Sequence, residues 1–86
     1  MAANVTYSPA PSYPPAASAA HVQGEVKLEA EVGPDGNVTS ARVISGPPLL
    51  REAAANALEH WHYRPYIADG KPIAMSALVV MDFQLP

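Results

Sequence analysis

The chain has 86 residues, 49% hydrophobic and 15% charged, with a net charge of −3 and no cysteine. That length allows one domain with a modest core. Five Lys and Arg argue against nucleic acid as a partner, and the missing thiols exclude disulfides, thiolate zinc sites and cysteine catalysis.

Residues 1–12 carry Pro9 and Pro11 among Ser, Ala and Tyr, and Pro14 and Pro15 follow. Such a stretch favours extended or polyproline conformations and reads as a linker, with the domain proper at 13–86. It lacks the basic start and apolar middle of a signal peptide, and no apolar run approaches the roughly 18 residues of a membrane span. Ala16 to His21 has room for one short helical turn.

The first strong element is GEVKLEAEV. Val26, Leu28, Ala30 and Val32 alternate with Glu25, Lys27, Glu29 and Glu31, the period of a strand with one wet face. In the GPDG that follows, Pro34 suits the second position of a type I turn and Gly36 the left-handed position of a bulged hairpin. Val38, Ala41 and Val43 of the return strand share the core face only if the alternation slips once, as a bulge allows. Arg42 is placed to face a glutamate across the hairpin.

SGPPLL opens a helix, with prolines tolerated in its first turn. Leu50, Ala53, Ala54, Ala57 and Trp61 then share one face, and the helix is expected to end near His62 or Tyr63, because Arg64 precedes Pro65. ADGKP reads as a turn. The last strand is expected over 74–85, with Met75, Ala77, Val79, Met81, Phe83 and Leu85 on one side and Ala74, Ser76, Leu78, Val80, Asp82 and Gln84 on the other.

The reading is an α+β fold, β-β-α-β. The helix carries the chain back across the sheet, which gives a three-stranded antiparallel sheet of order 2-1-3 with one main helix packed on one face. The expected core is Val26, Leu28, Val32, Leu50, Ala57, Trp61 and Phe83. The last strand is left as an edge, apolar on both faces, which is a hazard unless something pairs with it.

EHWHYRPY, residues 59–66, concentrates two histidines and three aromatic rings. On a helix His60 and His62 face nearly opposite ways and do not chelate one ion, so no metal site is expected there. Trp61 is expected to anchor the helix to the sheet, and Tyr63 and Tyr66 to close the end of the core. No nucleophile elbow, phosphate loop or Ser-His-Asp set is present, so neither catalysis nor a cofactor is expected. A ligand pocket between helix and sheet is disfavoured, since the helix alanines allow close packing.

Four segments together resemble the TonB C-terminal domain family: YPP at 13–15, GEVKLEAEVGPDGNVTSARVISG at 24–46, A…AL…WHYRP at 54–65 and DGKPIAMSALVVMDFQL at 69–85. The resemblance implies the periplasmic end of an energy transducer whose parent protein is anchored in the inner membrane. Such a domain captures the TonB box of an outer-membrane transporter as a strand added beside its own last strand. Carried over by position, the binding strand includes Ala74, Met75, Ser76, Ala77, Leu78, Val79, Val80, Met81, Asp82 and Phe83, and the receptor-contact motif is Tyr13 and Pro14. Two readings of Tyr13 and Pro14 stay open, contact with the receptor or packing of the linker onto the domain. The alternative function is a homodimer, strand-paired or swapped through the same edge, within a larger membrane sensor or envelope protein.

Overall fold

A computed structural model describes residues 5–85. Residues 1–4 of the expected linker, and Pro86 at the end of the expected domain, lie outside the described residues. The elements run β1 Val5–Tyr7, α1 Pro15–Ala19, β2 Gly24–Val32, β3 Val38–Ser45, α2 Pro48–Leu58, β4 His62–Tyr63, β5 Tyr66–Ala68, β6 Lys71–Ile73 and β7 Met75–Phe83.

The main sheet is antiparallel, in the order β3-β2-β7, so the first hairpin strand sits in the middle. Its alternating pattern puts Val26, Leu28, Ala30 and Val32 on the buried face, joined there by Ala77, Val79, Met81 and Phe83. Across from them α2 contributes Leu50, Ala54 and Leu58, a stripe of spacing four that faces the sheet. Ala57 and Trp61, both expected in the core, sit half-buried at its margin. Leu58, absent from the expected face, is fully buried.

The β2–β3 turn follows from its residues. The Gly36 N–H donates to the Gly33 carbonyl at 2.9 Å, closing the turn, and the Gly33 N–H donates to the Asn37 carbonyl at 2.8 Å. The Asp35 carboxylate accepts from the Asn37 backbone N–H at 3.1 Å and from its amide at 2.9 Å. Gly36 has φ 89, the left-handed region. The pairing slips between Glu31 and Val32 and between Lys27 and Leu28, which lets Val38, Ala41 and Val43 pack at the core's edge. Arg42 reaches Glu29 at 2.6 Å.

The helix ends earlier than expected. Its last turn tightens, with His60 N–H donating to Ala57 and Trp61 N–H to Leu58, each at 3.0 Å. The chain then extends, because the Tyr63 N–H donates to the Gly36 carbonyl at 2.7 Å. A tertiary hydrogen bond, five residues after the helix stops, overrides the local preference that Pro65 alone suggested. Beyond it, β4 pairs with β1, which makes residues 5–7 part of the folded unit rather than free linker. ADGKP is the tip of a separate hairpin, β5–β6, where Asp69 (φ 52) and Gly70 (φ 77) form a two-residue turn of the primed kind.

The candidate functional site: a free sheet edge

The last strand is β7, two residues shorter at its C-terminal end than expected and without Ala74. It pairs with β2 without a break, from Gly24↔Phe83 to Val32↔Met75. Among the described residues β2 is its only strand neighbour, so the other edge keeps a row of unpaired main-chain groups. Buried side chains hold this edge in place. Ala77, Val79, Met81 and Phe83 point into the core, while Ser76, Leu78, Val80 and Asp82 point outward. The strand is fixed by one face and one edge, and open on the others.

The structure brings Tyr13 to the end of this strand. Its ring meets Phe83 edge-on, with centroids 5.6 Å apart and planes at 79°. Its hydroxyl donates to the Val22 carbonyl, so the chain before α1 is tied to the loop that enters β2. Pro14 precedes α1 in an extended conformation and accepts a 3.0 Å hydrogen bond from the Ser18 N–H. This geometry favours the packing role for Tyr13, and it also sets the Tyr-Pro step beside the C-terminal end of β7.

The EHWHYRPY cluster is dispersed. His60 Nδ1 lies 2.8 Å from the Asn56 carbonyl, on the helix end. His62 Nδ1 lies 2.5 Å from Asn37 Oδ1, with Tyr7 tilted over its ring at 5.7 Å. Trp61 Nε1 donates to the Pro9 carbonyl at 3.1 Å, so the tryptophan, half-buried against the core, also ties down the N-terminal segment. Tyr63 is buried, and that burial raises its phenol pKa above the ordinary value. Tyr66, expected beside it, is exposed. Among the described residues no three His, Cys, Asp or Glu side chains gather to hold an ion.

An open groove of about 920 Å³ lies between residues 9–15 and the exposed side of α2. It does not lie between helix and sheet. Sequence reasoning missed both its N-terminal wall and the β5–β6 hairpin. The Asp69-Gly70 step, a strong hairpin dipeptide, was the signal for the second. Nothing comparable marks VTY at 5–7 as the partner of His62–Tyr63.

Residues 9–85 match the family model described as Gram-negative bacterial TonB protein C-terminal. The chain is 39% identical over 77 residues to Protein TonB of Xanthomonas campestris pv. campestris, covering 87% of this chain and 34% of that protein. It is 36% identical over 64 residues to Protein TonB of Escherichia coli (strain K12), covering 72% of this chain and 25% of that protein. The chain therefore spans about a quarter to a third of the length of these relatives. Its fold matches the solution NMR structure of the Pseudomonas aeruginosa TonB CTD with a TM-score of 0.77, over 95% of this chain and 85% of that one, at 24% identity.

Proposed function

The chain belongs to the family of Gram-negative bacterial TonB protein C-terminal domains, and on that premise we propose that it is the periplasmic, non-enzymatic end of an energy transducer. It captures the TonB box of an outer-membrane transporter as an extended strand beside β7, and the parent protein is anchored in the inner membrane. Among the described residues no helix is long and apolar enough to cross a membrane.

The observation that carries this reading is the nine-residue edge of β7, held rigid by its buried face and free on its outer side. Strand addition draws its affinity from main-chain hydrogen bonds, and an ordered edge offers them without first having to fold. The domain moves no protons and breaks no bonds in this role. Its work is grip: force applied to the captured segment is resisted by β7, which β2 and the core behind it support.

The test is a backbone amide NMR titration with a TonB-box peptide. Shifts concentrated on 75–83 and around Tyr13 are the expected result. A well-dispersed spectrum that does not move at saturating peptide contradicts the reading. A proline at Val79 or Val80, whichever turns its N–H outward, abolishes capture while the β2 pairing survives. The same edge also supports the second reading, a strand-paired homodimer. Sedimentation across a concentration range separates the two, since a dimer that persists at micromolar dilution leaves no edge to offer.

A further inference from the structure

The outward row of β7 is not uniform. Leu78 and Val80, in its middle, are 76% and 55% exposed, the largest apolar exposure on the strand. Their neighbours in β2 are Glu29 and Lys27. The 2.6 Å pair with Arg42 draws the Glu29 carboxylate toward β3 and away from Leu78. At one end of the row the Ser76 hydroxyl donates to the Glu31 carboxylate at 3.2 Å. At the other, Asp82 stands directly opposite Glu25, and among the described residues no cation lies within ion-pair distance of either carboxylate. Like charges directly opposite on a sheet repel, and apolar side chains directly opposite attract.

We propose that this row selects the captured segment by its side chains. Leu78 and Val80 take apolar residues at two alternate positions, and Asp82 with Glu25 takes a lysine or arginine at the next alternate position. The occupant is an extended peptide with that pattern. The charge complementarity of the acidic end and continuity with the free β7 edge argue for it. The inference rests on strand capture at β7 and deepens it, because main-chain pairing alone is indifferent to sequence. A strand added at the edge puts its same-face Cβ atoms about 4.5–5.5 Å from those of Leu78, Val80 and Asp82, close enough for each pair to contribute. Side chains on the other face of the added strand meet the rim of the core beside Ala77 and Val79 and are read separately.

The experiment uses three extended peptides of about ten residues, long enough to span the strand. The first has valine at the two alternate positions and lysine at the third, the second replaces both valines by serine, and the third replaces the lysine by glutamate. Each is titrated into the wild-type chain and into the exposed double variant L78S/V80S, with β7 amide shifts as the readout. The wild type is expected to bind the valine peptide about fivefold more tightly than the serine peptide. The double variant binds those two alike while its 75–83 amides still shift. The glutamate peptide binds more weakly than its lysine counterpart, and Asp82→Asn narrows that gap. A valine preference that survives intact in the double variant, with the β7 amides still shifting, overturns the apolar part of the proposal. Equal binding of the lysine and glutamate peptides overturns the charged part. Failure of the underlying capture looks different: no peptide then moves the wild-type β7 amides, and the proposal falls with its premise. A second copy occupying the edge shows as a dimer that no peptide displaces, which overturns it as well.

Discussion

β2 and β7 are strands, and so are β1, β4, β5 and β6, but the two groups are held by different forces. β2 and β7 share a face buried to 9% exposure or less, from Val26 to Val32 and from Ala77 to Phe83. Burying such side chains stabilises by about 1.5–3 kcal/mol each, before the entropy of ordering them is subtracted. The peripheral strands are two or three residues long, and their side chains are largely wet: Tyr7, Tyr66 and Ile67 are each more than half exposed. Main-chain hydrogen bonds hold them, at a net of about 0.5–1.5 kcal/mol apiece. A strand that is carried by its buried face has an edge to spare. The short peripheral strands also have an unpaired outer edge, but little buried face behind it to hold it in place. On the proposed reading, this favours β7 over the peripheral strands as the place of capture.

The sharpest way to break the comparison is at a point where both regions meet. Gly36 closes the β2–β3 turn at φ 89, and a Cβ there would stand 2.0 Å from the Tyr63 carbonyl oxygen. Gly36→Ala therefore strains the turn and displaces β4 at once, and the clash is with backbone that has little room to give. The expected loss is about 3 kcal/mol or more, visible as a collapse of the denaturation midpoint. Next in size is Leu28→Ala in the centre of the sheet, expected to cost about 2–5 kcal/mol in chemical denaturation. A domain of this size has about 5–15 kcal/mol in all.

A change in the periphery should leave the core standing. Trp61→Phe removes the donor to the Pro9 carbonyl and is expected to cost about 1 kcal/mol. Hydrogen exchange checks the locality: the amides of 5–8 exchange faster, while those of β2 keep their protection. The smallest effect near neutral pH is that of Tyr63. Burial raises its folded-state pKa above the ordinary value of 10.0. Its neutral form is thus favoured in the folded chain, the stability it contributes is fully present below that value, and it is lost as pH rises through the folded pKa. Alkaline unfolding followed in the wild type and in Tyr63→Phe checks this, with the variant losing less stability above pH about 10.

The same contrast explains what the sequence made legible. Alternation of apolar and charged residues from Glu25 to Val32 reports burial directly, and the apolar run from Met75 to Phe83 marks a second long strand, so the sheet and its open edge were readable from one chain. The turn at 33–36 was readable because Pro34 and Gly36 restrict the backbone locally. The end of α2 was not, because it is set by a hydrogen bond between Tyr63 and Gly36, 27 positions apart in sequence and unmarked by either residue type. Trp61 followed from that error: on a continued helix it falls on the apolar face, whereas on the extended chain its indole turns to Pro9. Leu58 was passed over for Ala57 and Trp61, although i, i+4, i+8 from Leu50 leads through Ala54 to it. For the site, the strand was legible and its uneven outer row was not, since the meaning of Leu78 and Val80 depends on where Arg42 draws Glu29.

The most direct measurement is amide hydrogen exchange along β7, with and without a saturating TonB-box peptide. N–H groups alternate between the two edges of a strand. In the free chain about half of those at 75–83 face β2 and exchange slowly, while the outward half exchange fast. Capture at this edge predicts that the fast half becomes protected in the complex and that the slow half changes little. Peptide binding that leaves the outward amides as fast as before contradicts strand addition at β7.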